Sequence, residues 1–223
     1  MARPERAAGP GYRKGEETRG RILEAALDAF GEASFKTVTT RQIAQAAHVS
    51  LPALQYYFAD KEGLYRACAE AIVERYRRYT ASAAADAAQA LAGDCTTETA
   101  RLHLKAVIGE LAAFLVGSTE TGSWAPFVAR ELRDPGPAFE ILYETLWRPG
   151  VELTARLIAR MLGAPEVTRA ARIQALLLLS GLLAFQSGRS ITLRAMQWST
   201  IGPNELAMVR TCLDAQIDAL GRP

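Results

Sequence analysis

The sequence predicts an all-α fold, on three observations. Alanine and leucine dominate the long apolar segments, and β-branched residues are sparse there, which favours helix over strand. Apolar side chains recur at three- and four-residue intervals, the spacing of one helix face. No stretch alternates apolar and polar residues for long enough to make a strand. With 223 residues, 49% of them apolar, the chain can bury a substantial core.

The elements follow in order. Residues 1–15 hold three glycines, two prolines and the basic side chains Arg3, Arg6, Arg13 and Lys14, and are expected to form a flexible basic arm. From Thr18, the residues Ile22, Leu23, Ala26, Leu27 and Phe30 mark one face of a helix that ends at Ser34-Phe35-Lys36. A second, short helix opens at Thr39 or Thr40. Thr39 with Gln42 fits a capping box, and Ile43, Ala44 and Ala47 form its apolar face. Ser50 caps a third short helix through Leu54 to Tyr57, with Pro52 in its first turn, where a missing N–H is tolerated. Asp60 caps a fourth helix that starts at Lys61 and continues past Tyr76 and Ala90 to the break at Gly93-Asp94. Further helices are expected over about 97–116, 124–132, 138–162, 166–187 and 204–220. Residues 117–123 read as a loop, and Pro149-Gly150 should kink or divide the 138–162 helix.

Composition narrows the function. The net charge of +2 is not that of a polycation. Cys68, Cys95 and Cys212 are far apart, and with only two histidines no zinc cluster of familiar spacing can be assembled. Free thiols suit a reducing cytoplasm. The basic N-terminus is followed by no apolar core and is not a secretory signal. The longest apolar stretch, Ala175 to Phe185, is broken by Ser180 and Gly181 and falls short of the roughly 20 residues that span a bilayer. It reads as a core or subunit-interface helix, and no membrane partner is expected. No GxSxG, P-loop, ExxH pair or aspartate-rich metal motif is present, so neither an enzyme nor a cofactor is expected. His103 stands alone between Leu102 and Leu104 and reads as structural.

The second and third helices, separated by about three residues, are the ingredients of a helix-turn-helix. Ala44 is small where the two helices cross, Val49 fills the corner, and Leu54 and Phe58 fasten the second to the core. Leu51, Pro52, Gln55 and Tyr56 are then left to face a major groove. An ordinary helical hairpin would show the same general pattern.

The match becomes specific when the segments are taken together. Thr18-Arg19, Ile22 to Ala26, Phe30, Phe35, Thr39 to Ala44, Ala47, Val49-Ser50, Leu54, Tyr57-Phe58, Lys61-Glu62 and Leu64 resemble the TetR-family DNA-binding domain over about residues 16–65. Leu54 to Tyr65, and more loosely Arg130-Glu131-Leu132, Asp134-Pro135, Ala138-Phe139 and Pro149, resemble the subgroup typified by the regulator CecR. The resemblance implies a helix-turn-helix domain at 16–65 and a helical ligand-sensing and dimerisation domain at 66–223. It also implies a homodimer on a palindromic operator, usually a repressor released by a small-molecule effector. An activator, a ligand-independent DNA binder and a helical enzyme are the alternatives. Two residues depart from the family pattern. His48 stands where the family has a glycine that often needs a left-handed backbone, which histidine tolerates better than most residues. Gln55 replaces a common tyrosine, and its amide could read adenine.

On this reading Thr40 and Arg41 would meet a phosphate at the start of the second helix. Ser50, Tyr56, Tyr57 and Lys61 join the DNA-binding set. Tyr57 could equally pack in the core, and Lys61 could be a solvated surface charge. Leu51 and Pro52 would touch only thymine methyls, and Gln55 is the candidate base reader. Arg13 and Lys14 either reach a flanking minor groove or belong to a solubilising tail. In the sensor half, the candidates for lining an effector pocket are Phe114, Trp124, Phe127, Arg130, Glu131, Tyr143, Trp147 and Phe185. Each would also suit an ordinary core, and adjacent Arg130 and Glu131 must point in different directions. Ala175 to Phe185, with Leu176, Leu179, Leu183 and Gln186 along one side, and Leu206 to Leu220 are the expected dimer helices.

Overall fold

The computed structural model describes residues 10–118 and 121–220, with side chains at 14–118 and 124–220. Every regular element among them is helical. The order is α1 (Pro10–Glu32), α2 (Thr40–Ala46), α3 (Leu51–Tyr57), α4 (Lys61–Ala92) and α5 (Thr97–Ala112). A π-helical turn at Ala113–Gly117 follows, then α6 (Thr121–Arg133) and α7 (Phe139–Leu142). A second π turn at Tyr143–Trp147 leads into α8 (Arg148–Met161), α9 (Arg169–Ser187), α10 (Arg189–Met196) and α11 (Pro203–Ala219). The chain divides into two units. The first holds the chain to Ala71 with Pro126–Phe139, and the second holds Ile72–Ala125 with Glu140 onward. The helices α4, α6 and α7 therefore each contribute residues to both.

In the first unit, Ile22, Leu27, Phe30, Ile43, Leu54 and Leu64 are wholly buried. The Tyr65 ring is the hub, with Phe30, Phe35 and Phe127 at centroid distances of 4.7, 4.9 and 4.8 Å. Such aromatic pairs stabilise a core beyond the area they bury. Gly31 brings α1 close to α6, since a β-carbon there would lie 2.9 Å from Pro126 Cβ.

The short helices are set by their ends. Thr39 Oγ1 accepts from the Gln42 N–H (3.2 Å), and the Thr39 N–H donates to Gln42 Oε1 (2.9 Å), closing the expected capping box. Ser50 Oγ accepts from the Ala53 N–H at 3.3 Å and starts α3. Between them His48 is left-handed, with φ 53°. The N–H of Val49 reaches the Ala44 carbonyl (2.9 Å) and that of His48 the Gln45 carbonyl (3.1 Å), a Schellman motif that turns the chain from α2 to α3. Because the imidazole is exposed, His48→Gly should leave the fold intact and raise stability by up to about 1 kcal/mol, the left-handed penalty of a side chain. A thermal melt of the variant checks this; a large drop in Tm would contradict it.

In the second unit, α8 packs on both α5 and α9, and α11 packs on α5. Leu104, Ile108, Phe114, Leu157, Ile158, Leu182 and Ile217 are buried there. Asp218 on α11 accepts from Lys105 at 2.8 Å, and this contact, with Arg101 alongside, holds its carboxyl below the usual range.

Five sequence expectations change. Residues 10–15, assigned to the arm, are the first turns of α1: Pro10 suits a first helical position, and Thr18 Oγ1 bonds back to the Lys14 carbonyl at 2.9 Å. The rest of the arm lies outside the described residues, as does the Arg13 side chain. The loop expected over 117–123 is shorter, because α6 begins at Thr121. The division expected at Pro149 lies just before it, at the π turn Tyr143–Trp147. Proline lacks the N–H that would reach Thr145, and its ring crowds that carbonyl, so the preceding turn widens. The helix α10 was not foreseen; it is only eight residues long and buries none of them. Finally, the sequence reading weighed only the stretch Ala175 to Phe185, which is part of α9. The full helix has 19 residues, and by length and composition only, with a mean hydropathy of 1.3 over an 18-residue window, it is long and apolar enough to cross a membrane, as core helices of soluble proteins also are.

Candidate nucleic-acid interface and aromatic cluster

The outward face of α3 gathers three of the residues expected to meet DNA. Pro52, Gln55 and Tyr56 are exposed within one helical turn, Tyr56 at 84%, while Leu54 points into the core at 0%. Arg41 is exposed in the first turn of α2, and Thr40 is half-buried. Ser50 is exposed, but its hydroxyl is engaged as the cap of α3. Leu51 is half-buried. Tyr57 is half-buried, with its hydroxyl 3.7 Å from where a β-carbon on Gly15 would sit, so it lies against α1. Lys61 is turned partly inward. Its ammonium donates to the Val38 carbonyl at 3.1 Å and lies 4.6 Å from the Phe35 ring centroid. Two of its three N–H groups remain for another acceptor. The outward face of α3 offers a planar amide and a phenol, and the first turn of α2 offers a guanidinium. These groups suit base edges and phosphates.

Three residues expected to line an effector pocket lie instead in this first unit and are engaged there. Phe127 is wholly buried against Tyr65. Arg130 donates to the carbonyls of Gly31 (3.1 Å) and Glu32 (3.0 Å), capping the C-terminal end of α1. Glu131, 1% exposed, accepts from the Tyr65 hydroxyl at 2.6 Å and from the Gly136 N–H at 3.2 Å. Burial, and then the bond to Glu131, push the Tyr65 phenol well above its ordinary pKa, so it remains a donor. Arg130 and Glu131 do point in different directions, as adjacent helical residues must. The signal missed in the sequence is that both belong to the helix-turn-helix unit, more than sixty residues upstream of them, through contacts with α1 and α4.

In the second unit, Phe114 and Trp124 come together. Their rings stack at 5.4 Å with an interplanar angle of 20°. Tyr79 joins Phe114 at 4.6 Å, and Tyr76 meets it edge-on at 6.1 Å. Phe114 sits on the first π turn, and such turns often occur at functional sites. Tyr76 and Tyr79 were missed as site residues because they read only as continuation of α4. Their three-residue spacing, which puts both on one helix face, was the available signal. Of the other candidates, Tyr143 is exposed and Trp147 half-buried on the second π turn, and Phe185 is half-buried on α9. Four buried polar atoms of this unit, Trp124 Nε1, Thr154 Oγ1, Gln174 Oε1 and Gln186 Nε2, have no hydrogen-bond partner among the described residues, and of these residues Trp124 and Thr154 are themselves buried. Among the described residues no group of three or more His, Cys, Asp or Glu could hold a metal.

The family model described as "Bacterial regulatory proteins, tetR family" matches residues 22–68, the segment from mid-α1 into α4. The model described as "HTH-type transcriptional dual regulator CecR, C-terminal domain" matches residues 100–222. The chain belongs to the TetR family of transcriptional regulators. Among its relatives is the dual regulator CecR of Shigella flexneri, 27% identical over 93% of this chain and 92% of that protein. A TetR-like regulator from Rhodococcus sp. RHA1 shares the fold with a TM-score of 0.60 at 17% identity, covering 96% of this chain and 97% of that one. AibR, solved with isovaleryl coenzyme A and operator DNA, has a TM-score of 0.58 at 14% identity, covering 92% and 99%. In this TetR-family regulator the α2–α3 pair is the DNA-binding helix-turn-helix.

Proposed function

We propose that this TetR-family regulator is a cytoplasmic, non-enzymatic, homodimeric repressor with a CecR-like sensor domain, released from a palindromic operator by a small molecule. The observation that carries the dimer is on the last long helices. The helix α9 exposes Ile173, Leu176 and Leu177 at 57, 50 and 66%, next to Ser180, Gly181 and Ala184. The helix α11 exposes Met208 at 54% beside Ala207, Thr211, Cys212 and Ala215. Apolar stripes of this kind are surfaces that a partner covers. A second copy is the natural occupant, because a two-fold pair presents two α3 helices to successive major grooves. AibR, of similar fold, was solved with an acyl-coenzyme A and operator DNA, which supports a regulator that takes both a small molecule and DNA. The Shigella relative is described as a dual regulator, which favours activation at some promoters as a second reading.

Leu177→Asp tests the arrangement. Wild type is expected to sediment as a dimer. The variant should sediment as a folded monomer and lose operator affinity at least tenfold, since only one half-site is then engaged per binding event. In vitro transcription from the operator-bearing promoter should fall when wild type is added. A monomeric wild type that binds the operator, or a rise in transcription, would contradict the proposal.

A further inference from the structure

The aromatic cluster of the second unit has chemistry that limits what can bind there. Four rings from three elements meet: Tyr76 and Tyr79 from α4, Phe114 from the first π turn and Trp124 from α6. Trp124 is 3% exposed, yet its indole N–H has no acceptor. Thr154 on α8 is 1% exposed, and its hydroxyl is likewise unpartnered. That is unusual for a helical threonine, which commonly bonds the carbonyl four residues back. Thr80 does so to Tyr76 (3.1 Å) and Thr211 to Ala207 (3.0 Å). The Thr154 hydroxyl does not return to Gly150. One turn before it on the same helix face, a β-carbon on Gly150 would lie 3.7 Å from the Tyr76 hydroxyl, so Gly150 borders the cluster. Each unmet buried group costs roughly 1–3 kcal/mol. Both belong to the unit that holds the rings, and both are met if a bound molecule presents polar atoms to them.

Of the cations close to the rings in sequence or contact, Arg75 on α4 is half-buried. Arg189 donates to the Val116 carbonyl of the π turn at 3.1 Å. Arg77 and Arg78 on α4 are exposed. No ring of the cluster pairs with a charged side chain among the described contacts. A carboxylate or a coenzyme A phosphate would need a counter-ion drawn from Arg189 or Arg75, since an unpaired buried charge is strongly unfavourable, whereas an uncharged acceptor on Trp124 Nε1 and Thr154 Oγ1 needs none.

We propose that this cluster takes an uncharged aromatic effector bearing a carbonyl-type acceptor, its ring against Phe114 and Trp124 and its polar groups on Trp124 Nε1 and Thr154 Oγ1. This rests on the ligand-released reading and names the chemical class of the ligand.

The test is calorimetry on the full chain with acetophenone, 2-acetonaphthone and chalcone as probes, and with 2-naphthoate and octanoyl-coenzyme A as the charged alternatives. At least one ketone is expected to bind, and 2-acetonaphthone should bind at least tenfold tighter than 2-naphthoate. Trp124→Phe keeps a stacking ring and removes only the donor, so it should weaken ketone binding about 2- to 13-fold, the range for one hydrogen bond. If that variant does not fold, Thr154→Val supplies the same readout, since it keeps the shape and removes the hydroxyl. Failure of all three ketones to bind, tighter binding of either charged probe, or unchanged ketone affinity in the folded variant would overturn the proposal. Operator affinity of the same preparation, measured without probe, separates the two claims. Intact operator binding with no ketone binding overturns the ligand class alone, whereas absent operator binding defeats the regulator reading itself.

Discussion

Glu131→Ala should destabilise the DNA-binding unit by about 3 kcal/mol or more, and the first unfolding transition should drop by roughly 10 °C or more. The carboxylate is buried at 1% exposure and accepts from the Tyr65 hydroxyl and the Gly136 N–H. Truncation leaves both donors unmet at roughly 1–3 kcal/mol each and opens a void beside the Tyr65 ring. Glu131→Gln keeps an acceptor and should lose much less. Tyr65→Phe leaves the carboxylate with only the Gly136 N–H, so its loss should also be substantial. Calorimetric unfolding of the three variants checks the ranking. A wild-type transition for Glu131→Ala would show that the Tyr65–Glu131 contact does not hold α6 to α4.

Combining Gln55→Ala with Tyr56→Ala should abolish specific operator binding while leaving the melting temperature unchanged. Both side chains are exposed on α3, so neither truncation empties a core site. Each contact to a base or phosphate is worth about 1–3 kcal/mol, or roughly 5- to 150-fold in affinity, and separate contacts add approximately. Leu54→Ala is the contrast. That side chain is wholly buried, and its loss should lower stability by about 2–5 kcal/mol along with binding. Fluorescence anisotropy on operator and non-operator duplexes, paired with thermal melts, separates the two effects. Unchanged operator affinity in the double variant would move recognition away from this face.

The helix-turn-helix was legible because its signals are local. The Thr39–Gln42 box, the Ser50 cap and the left-handed His48 each act within a few residues, and each occurs where the local chemistry requires it. The limits of α4 were legible for the same reason, with Asp60 before it and Gly93 after it. What was lost depended on distant contacts. Whether Arg130 and Glu131 face an effector or cap α1 and meet Tyr65 is decided by contacts 66 and 98–99 residues away. The aromatic cluster was half visible. Phe114 and Trp124 stood out as large apolar residues in the sensor half, but Tyr76 and Tyr79 were hidden in a long helix whose polar and apolar residues are mixed all round. The helix α10 is only eight residues long and buries none of them, so its few apolar side chains, Ile191, Leu193 and Met196, made too short a pattern to stand out. The π turn before Arg148 shows the intermediate case. Proline announced a disturbance, but its form and its place one turn earlier depend on how the freed carbonyl is accommodated.

Selection of bound duplexes from a random library by the purified full chain tests the central claim most directly. The account predicts enrichment of an inverted repeat whose half-site centres lie about 10–10.5 base pairs, or roughly 34–36 Å, apart or a multiple of that spacing, because two α3 helices must enter major grooves on one side of the duplex. Repeating the selection with Gln55→Ala should change the preferred base within each half-site without changing the spacing. Enrichment of no sequence, or of a single half-site without its inverted partner, would contradict a homodimeric operator-binding regulator.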